Sequence, residues 1–341
     1  MSGVIEPGAA VVAVSVATLW RSPDRIRDVD APAVAAQPSV RSWAVGLSDE
    51  QQRDLDGRTD SQLLLGDPVL VEELSGGWAR VVATGQPSSR DPRGYPGWIP
   101  ASQLTSGEMP APTHIMTTTV TGLHTAPGGP LAVADVGVGT TLIATSPVEG
   151  GWIPVALPAG GTGWIEASSV APLPPPQDPR NCSAVVASDL QDQGKCSAVA
   201  ESGAGGSEGS ARTRSGLAGS ALDVARQLLG VRYVWGGMSP FGIDCSGLVH
   251  LAFRRVGVLL PRDAHDQAAA TRPLAWGDEQ PGDVYLFARA GRPVYHIGFV
   301  TAPPDPDGTR HMLHASGGLR VVAEPISPER LETLVAVHRV V

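Results

Sequence analysis

The sequence predicts an α+β protein in which two small β-barrels precede a domain of helices followed by antiparallel strands. Three observations carry this expectation. Short β-rich runs repeat one pattern twice, a stretch poor in large apolar groups follows, and the C-terminal third passes from helical periodicity to strand-like runs.

The first copy of the pattern comprises residues 16–23, 65–69, Gly76-Gly77-Trp78 and 97–102; the second comprises residues 120–127, 138–142, Gly150-Gly151-Trp152 and 163–168. Gly and Pro turns between such runs indicate small barrels, predicted over residues 1–105 and 106–175. In each, the tryptophan after Gly-Gly opens a strand, a second tryptophan closes the barrel, and both are core. The first copy carries an Ala-Pro and Gln-rich insertion at residues 24–54 that reads as an excursion loop. The apolar run at residues 9–19 has no preceding Lys or Arg, follows Glu6, and ends at Trp20-Arg21 without a small-residue cleavage site. It is too short to span a bilayer and reads as a β-strand, so the expectation is a cytoplasmic protein with no membrane partner. Residues 176–215 are rich in Pro, Ser, Gly and Ala, repeat Cys182-Ser-Ala-Val as Cys196-Ser-Ala-Val, and read as a flexible linker.

The last domain is predicted over residues 216–341. Leu217, Ala221, Leu222, Ala225, Leu228 and Leu229 have helical spacing that ends at Gly230. A second helix follows Asp244-Cys245-Ser246-Gly247, and strand-like runs occupy residues 283–287, 295–301, 311–315 and 334–341. Cys245 stands at a loop-to-helix junction, where the positive end of the helix dipole favours thiolate over thiol. Acyl chemistry by a thiolate needs a base and an orienting group, and His296 and His314 on the facing strands are candidates. Ile297 and Phe299 alternate with His296, as expected of a strand with one face on a site. The reading is a cysteine hydrolase.

Composition excludes other classes. A net charge of −9 offers no basic stripe for nucleic acid. Three cysteines form no disulfide framework; Cys182 and Cys196 are ordinary linker thiols, or a pair if the chain is exported. His250 and His265 show no metal-ligand spacing with another His, Cys or carboxylate, so no metal and no cofactor are expected.

The doubled pattern resembles the bacterial SH3-like (SH3b) domain over residues 8–105 and 112–173. Tyr233-Val234-Trp235-Gly236-Gly237, Asp244-Cys245-Ser246-Gly247, Pro281-Gly282-Asp283, His296-Ile297-Gly298-Phe299 and His314-Ala315 together resemble the NlpC/P60 cysteine peptidases of bacterial cell walls. With two SH3b-like units in front, the layout is similar to the γ-D-glutamyl-L-diamino acid endopeptidases of dipeptidyl-peptidase VI type. The resemblance implies a papain-like catalytic domain acting on murein peptides with a free N-terminal L-Ala; separately, a monomer is expected. It makes Cys245 the nucleophile, His296 the general base and His314 the residue that orients it, in preference to His311. It also implies that Tyr233 lines the cleft and helps hold the oxyanion, and that Asp244 and Ser246 bind the substrate amine and backbone. Tyr95, in Arg93-Gly94-Tyr95-Pro96-Gly97-Trp98, matches a tyrosine that caps the cleft. Asp60 either reads the amine or is a solvated loop carboxylate. Ala264 stands where relatives commonly carry Ser. Two other readings stay open: an exported hydrolase of intact wall, and a non-catalytic wall-binding protein.

Overall fold

The early β-rich runs build a seven-stranded antiparallel sheet in the computed structural model, which describes residues 5–177, 214–316 and 320–341. The apolar run at residues 9–19 supplies two strands, β1 (Gly8–Val12) and β2 (Val16–Trp20), rather than one. They are joined by β3 (Thr59–Leu64), β4 (Pro68–Ser75), β5 (Trp78–Ala83), β6 (Tyr95–Pro100) and β7 (Leu104–Ser106), in the order β3-β2-β6-β5-β4-β1-β7. The second copy forms two smaller antiparallel sheets. One orders β10 (Leu131–Gly137), β9 (Val120–His124), β13 (Thr162–Glu166) and β12 (Trp152–Ala156); the other orders β11 (Thr141–Leu142), β8 (His114–Met116) and β14 (Val170–Pro172). Both domains are rich in sheet, but among the described residues neither closes into one hydrogen-bonded ring. In the first domain the end strand β3 is buried along its length, and its Thr59 and Gln62 side chains bond to the C-terminal domain.

The repeat itself has a simple cause. Gly76 and Gly77 adopt φ of 55° and 83°, and Gly150 and Gly151 adopt 57° and 84°. Two successive positive φ values are what a hairpin turn matched to sheet twist requires, and glycine adopts them without a Cβ clash. Trp78 and Trp152 open strands as expected. With Trp98 and Trp164 they are half-buried rather than fully buried, and Trp78 and Trp98 pack against the main core.

Residues 24–54 are not an excursion loop. They contain three short helices, α1 (Ala31–Val34), α2 (Val40–Gly46) and α3 (Asp49–Arg53). Ser39 and Ser48 cap the last two by accepting from the amides of Ser42 and Gln51. Trp43 anchors the segment: it is 2% exposed, donates its indole N–H to Asp30 at 2.9 Å, and lies 5.9 Å from the Trp20 ring.

In the C-terminal domain, α4 (Arg214–Arg226) buries Leu217, Ala221, Leu222 and Ala225, and the turn after it buries Leu228 but leaves Leu229 exposed. A short hairpin of β15 (Met238–Ser239) and β16 (Gly242–Ile243) leads into α5 (Cys245–Arg255), followed by α6 (Ala264–Ala270). A six-stranded antiparallel sheet completes the domain. Its order is β17 (Arg272–Pro273), β22 (Leu334–Arg339), β18 (Val284–Ala288), β19 (Val294–Val300), β20 (His311–Ala315) and β21 (Val321–Pro325), with α7 (Pro328–Leu331) before the last strand in sequence. Leu222, Leu248, Phe253, Ile297, Phe299 and Leu313 form one core between helices and sheet, joined by Trp20 and Trp43 of the first domain and Val138 of the second. The α+β order is therefore as expected, and β21 was not foreseen. Gln177 docks on the catalytic side of the molecule by donating its amide to Gly257 O. The linker proposed for residues 176–215, with Cys182 and Cys196, otherwise falls outside the described residues, apart from the start of α4. No helix among the described residues is long and apolar enough to cross a membrane.

His250, on α5, is fully buried, and burial with Arg254 and Arg262 nearby pushes its imidazole down to about 3. Burial pushes His296 well below its ordinary value too. An unfolded histidine titrates near 6.5, so below that pH the unfolded chain takes up protons that the native rings refuse. Stability is then complete above about pH 6.5 and falls as the medium is acidified. Calorimetry should record a melting temperature that declines from about pH 6.5 to about pH 5, above the main carboxylate range, and a shallower decline for His250→Met.

Candidate active site

The site is assembled around the start of α5. Asp244 caps that helix by accepting from the Gly247 amide at 2.6 Å, which leaves Cys245 as the first helical residue. Gly247 is required by closeness: a Cβ there would sit 2.3 Å from Gly237 O. Gly236, at φ +74°, turns its N–H to the other Asp244 oxygen at 2.9 Å. The Gly-Gly and Cys-Ser-Gly motifs are thus two halves of one capped junction.

Arg262 completes it. Its guanidinium is 1% exposed and grips Asp244 with two nitrogens at 3.0 and 2.8 Å, while also donating to Ser246 Oγ and to Ser61 Oγ on β3, each at 2.9 Å. Asp244 and Ser246 line the cleft, yet both side chains already have protein partners. What they do in this geometry is hold the helix start.

Cys245 is 7% exposed. Burial and the neighbouring Asp244 carboxylate push its thiol up to about 12, against the pull of the Ile297 and Ser246 amides, which hydrogen-bond the sulfur. Burial first, and then the capping carboxylate that builds the terminus, oppose the thiolate that the helix terminus is expected to favour. His296 is buried and neutral, so thiol and imidazole are both uncharged at rest.

His296 lies opposite Phe287 across β18 and β19 and shares its face, while Ile297 and Phe299 project into the core with α5. The histidines are therefore not sandwiched between helix and sheet. They stand where β19 leaves β20, which it pairs only at Phe299 and Val300, and there the Ile297 amide turns to the sulfur. His296 Nε2 is 2.7 Å from His314 Nδ1, with the rings edge-on. His314 Nε2 in turn lies 3.0 Å from Glu324 Oε1. His311, three residues away, bonds Asp305 and takes no part.

Around the thiol is a cleft of ≈ 220 Å³ lined by Arg21, Asp60, Arg90 and Tyr95 of the first domain and by Tyr233, Trp235, Asp263, Ala264 and Tyr295 of the last. Tyr95 is 1% exposed and donates its hydroxyl to Asp263 at 3.0 Å. Burial raises the Asp263 carboxyl above the usual range despite Arg262 and Arg90. Asp60 is neither in a loop nor solvated; it sits in β3, 7% exposed, paired with Arg21 at 2.8 Å and Arg90 at 3.1 Å. Tyr233 keeps its proton, because burial beside Cys245 and Asp244 raises it well above the ordinary phenol. Asp263, His265 and Asp266 bring ligand atoms within 4.8 Å of one another, which corrects the expectation that His265 has no such neighbours. Tyr95 and the Ser89 amide already bond the two carboxylates. A larger cavity of ≈ 560 Å³ between the two N-terminal domains shares no residue with this cleft.

Residues 230–339, which contain the cysteine and both histidines, match the profile of the NlpC/P60 family. The C-terminal domain is an NlpC/P60 cysteine peptidase. Outside that domain the likeness continues. The chain is 27% identical over 328 residues to a γ-D-glutamyl-L-lysine dipeptidyl-peptidase of Bacillus cereus, covering 92% of this chain and 84% of the relative. A Bacillus subtilis protein of the same name is 28% identical over 310 residues, 88% of each chain. The crystal structure of an NlpC/P60 family protein from Bacillus cereus superposes with a TM-score of 0.79 at 25% identity, covering 97% of this chain and 99% of that one.

Three residues that build the site escaped the sequence reading: Asp263 in the cleft wall, Arg262 behind it and Glu324 behind the histidines. The first two had a usable signal, a charged pair after Pro261 at the start of a helix. Glu324 had none, since it lies on β21, a strand the pattern did not reveal, ten residues from its partner His314.

Proposed function

We propose that the protein hydrolyses the γ-D-glutamyl–L-diamino acid bond of murein peptides bearing a free N-terminal L-Ala, as a monomeric recycling enzyme of the cytoplasm with two SH3b-like domains in front. The observation that carries this reading is the Tyr95–Asp263 contact. It places a carboxylate, supplied with a capping tyrosine from another domain, in the same small cleft as the cysteine. A carboxylate there suits an ammonium group, and its distance from the sulfur limits how many residues precede the scissile bond. The activity named for the Bacillus relatives agrees with such a limit.

In the proposed reaction Cys245 Sγ attacks the γ-carbonyl while His296 takes the thiol proton. The Tyr233 hydroxyl and the Cys245 amide hold the developing oxyanion. The C–N bond breaks, His296 returns the proton to the leaving amine, and a thioester remains on Cys245. Water, deprotonated by His296, then cleaves the thioester to release L-Ala-D-Glu and the free thiol. Asp263 rather than Asp244 receives the substrate amine, because Asp244 is committed to Arg262 and two backbone amides. Asp60, held between two arginines, shapes the same wall.

Turnover of L-Ala-γ-D-Glu-L-Lys and its N-acetyl form tests this. The free-amine peptide should be cut and the blocked one rejected, and Asp263→Asn should lower kcat/KM for the free amine roughly 10–100-fold, the worth of one charge-assisted hydrogen bond. Equal cleavage of both peptides would instead favour an exported hydrolase of intact wall.

A further inference from the structure

We infer that Glu324 is a positioning residue whose carboxylate fixes the tautomers of His314 and His296, leaving His296 Nδ1 as the bare nitrogen that receives a proton. The inference rests on the reading of Cys245 as nucleophile and His296 as base, and it adds a fourth group, behind His314.

Sheet register explains the placement. His314 on β20 lies opposite Val322 on β21, and Glu324 lies opposite Met312. Side chains alternate with period two, so Glu324 shares the face of Val322 and sits diagonally from His314, within reach of its ring. The observed distances are 3.0 Å from His314 Nε2 to Glu324 Oε1 and 2.7 Å from His314 Nδ1 to His296 Nε2.

Proton counting then settles the order. An ionised carboxylate only accepts hydrogen bonds, so the proton between Glu324 and His314 belongs to His314 Nε2. A neutral imidazole has one N–H, so His314 Nδ1 accepts, and His296 Nε2–H must donate to it. His296 Nδ1 is left with its lone pair. Remove the carboxylate and the order can reverse: His314 Nδ1–H would donate to His296 Nε2, and the His296 proton would move to Nδ1, blocking the base. When His296 does take a proton, the chain of bonds needs no rearrangement, because its Nε2–H still points at His314.

The charges facing the pair are few. Arg330 on α7 disfavours the protonated form of both rings, and Glu324 favours it in His314 against the effect of burial. Cys245 on α5 meets the Ile297 amide next to His296, while Phe287 on β18 and the ring of Tyr295 add no ionised group. The Glu324 side chain is 46% exposed, so solvent screens its charge and the tautomer lock is its larger effect.

The test uses iodoacetamide on the full chain, with alkylation read at the Cys245 peptide by mass spectrometry so that Cys182 and Cys196 do not contribute. Because no murein peptide is involved, the substrate assignment can fail without affecting the result. Between about pH 4 and about pH 9, Glu324→Gln should lower the plateau rate roughly tenfold and move the acid limb to lower pH, since a charge that favoured imidazolium is gone. Glu324→Asp, which keeps a carboxylate, should recover part of the rate. β21 is an edge strand, so thermal melts of both variants should match the parent. A plateau rate in Glu324→Gln that stays at the parent's overturns the assignment, as does a fall that Glu324→Asp fails to recover in part.

Discussion

Cys245→Ala should abolish peptide cleavage, lowering kcat by at least about 10⁴-fold, while leaving the melting temperature near that of the parent. The asymmetry follows from the site. The side chain is 7% exposed in a tightly packed junction, and exchanging one small buried group for another leaves the Asp244 cap and the Arg262 pair untouched. Chemistry, by contrast, has no substitute nucleophile: among the described residues Cys245 is the cysteine, and Ser246 Oγ is already an acceptor for Arg262. Cys245→Ser should be nearly as inactive, because an alkoxide is harder to form than a thiolate in a site that already pushes the thiol up to about 12. Product release followed by chromatography measures both variants, and residual cleavage within tenfold of the parent would rule the nucleophile out.

Arg262→Met should destabilise the fold by about 3–5 kcal/mol, more than the removal of any exposed ion pair, and should nearly silence the enzyme in what remains folded. The arginine is the partner of a buried carboxylate, and truncating it leaves the Asp244 charge with only the Gly236 and Gly247 amides and the Ser246 hydroxyl to meet it. The loss is not local. Arg262 also bonds Ser61 on β3, its amide donates to Pro87 O, and the adjacent Asp263 meets Tyr95, so the first domain and the cleft wall hang on one short segment. Urea titration gives the stability change; a double variant, Arg262→Met with Asp244→Asn, should recover part of it by removing the stranded charge. No recovery would mean that packing, not charge, sets the cost.

What could be read from the sequence followed from how local each signal was. The Gly-Gly-Trp turns, the helical run from Leu217 and the capped Cys245 junction are short-range patterns, and they emerged as expected. Residues 24–54 were misread because Ala-Pro and Gln-rich composition hides an anchor that is tertiary: Trp43 is buried only because Trp20 and Asp30 are there to receive it. The ionisation of Cys245 was misjudged for a related reason. A helix dipole is legible in sequence, whereas the burial that outweighs it is not. Asp263 and Glu324 make the same point at the cleft, since each gains its meaning from a partner 168 and 10 residues away respectively.

The most direct test of the whole account is to quench the enzyme during turnover of L-Ala-γ-D-Glu-L-Lys and weigh its peptides. A thioester-linked L-Ala-D-Glu on the fragment containing Cys245, missing from His296→Ala, is the predicted result. Steady turnover in which that fragment never gains the dipeptide mass, even under acid quench, would contradict it.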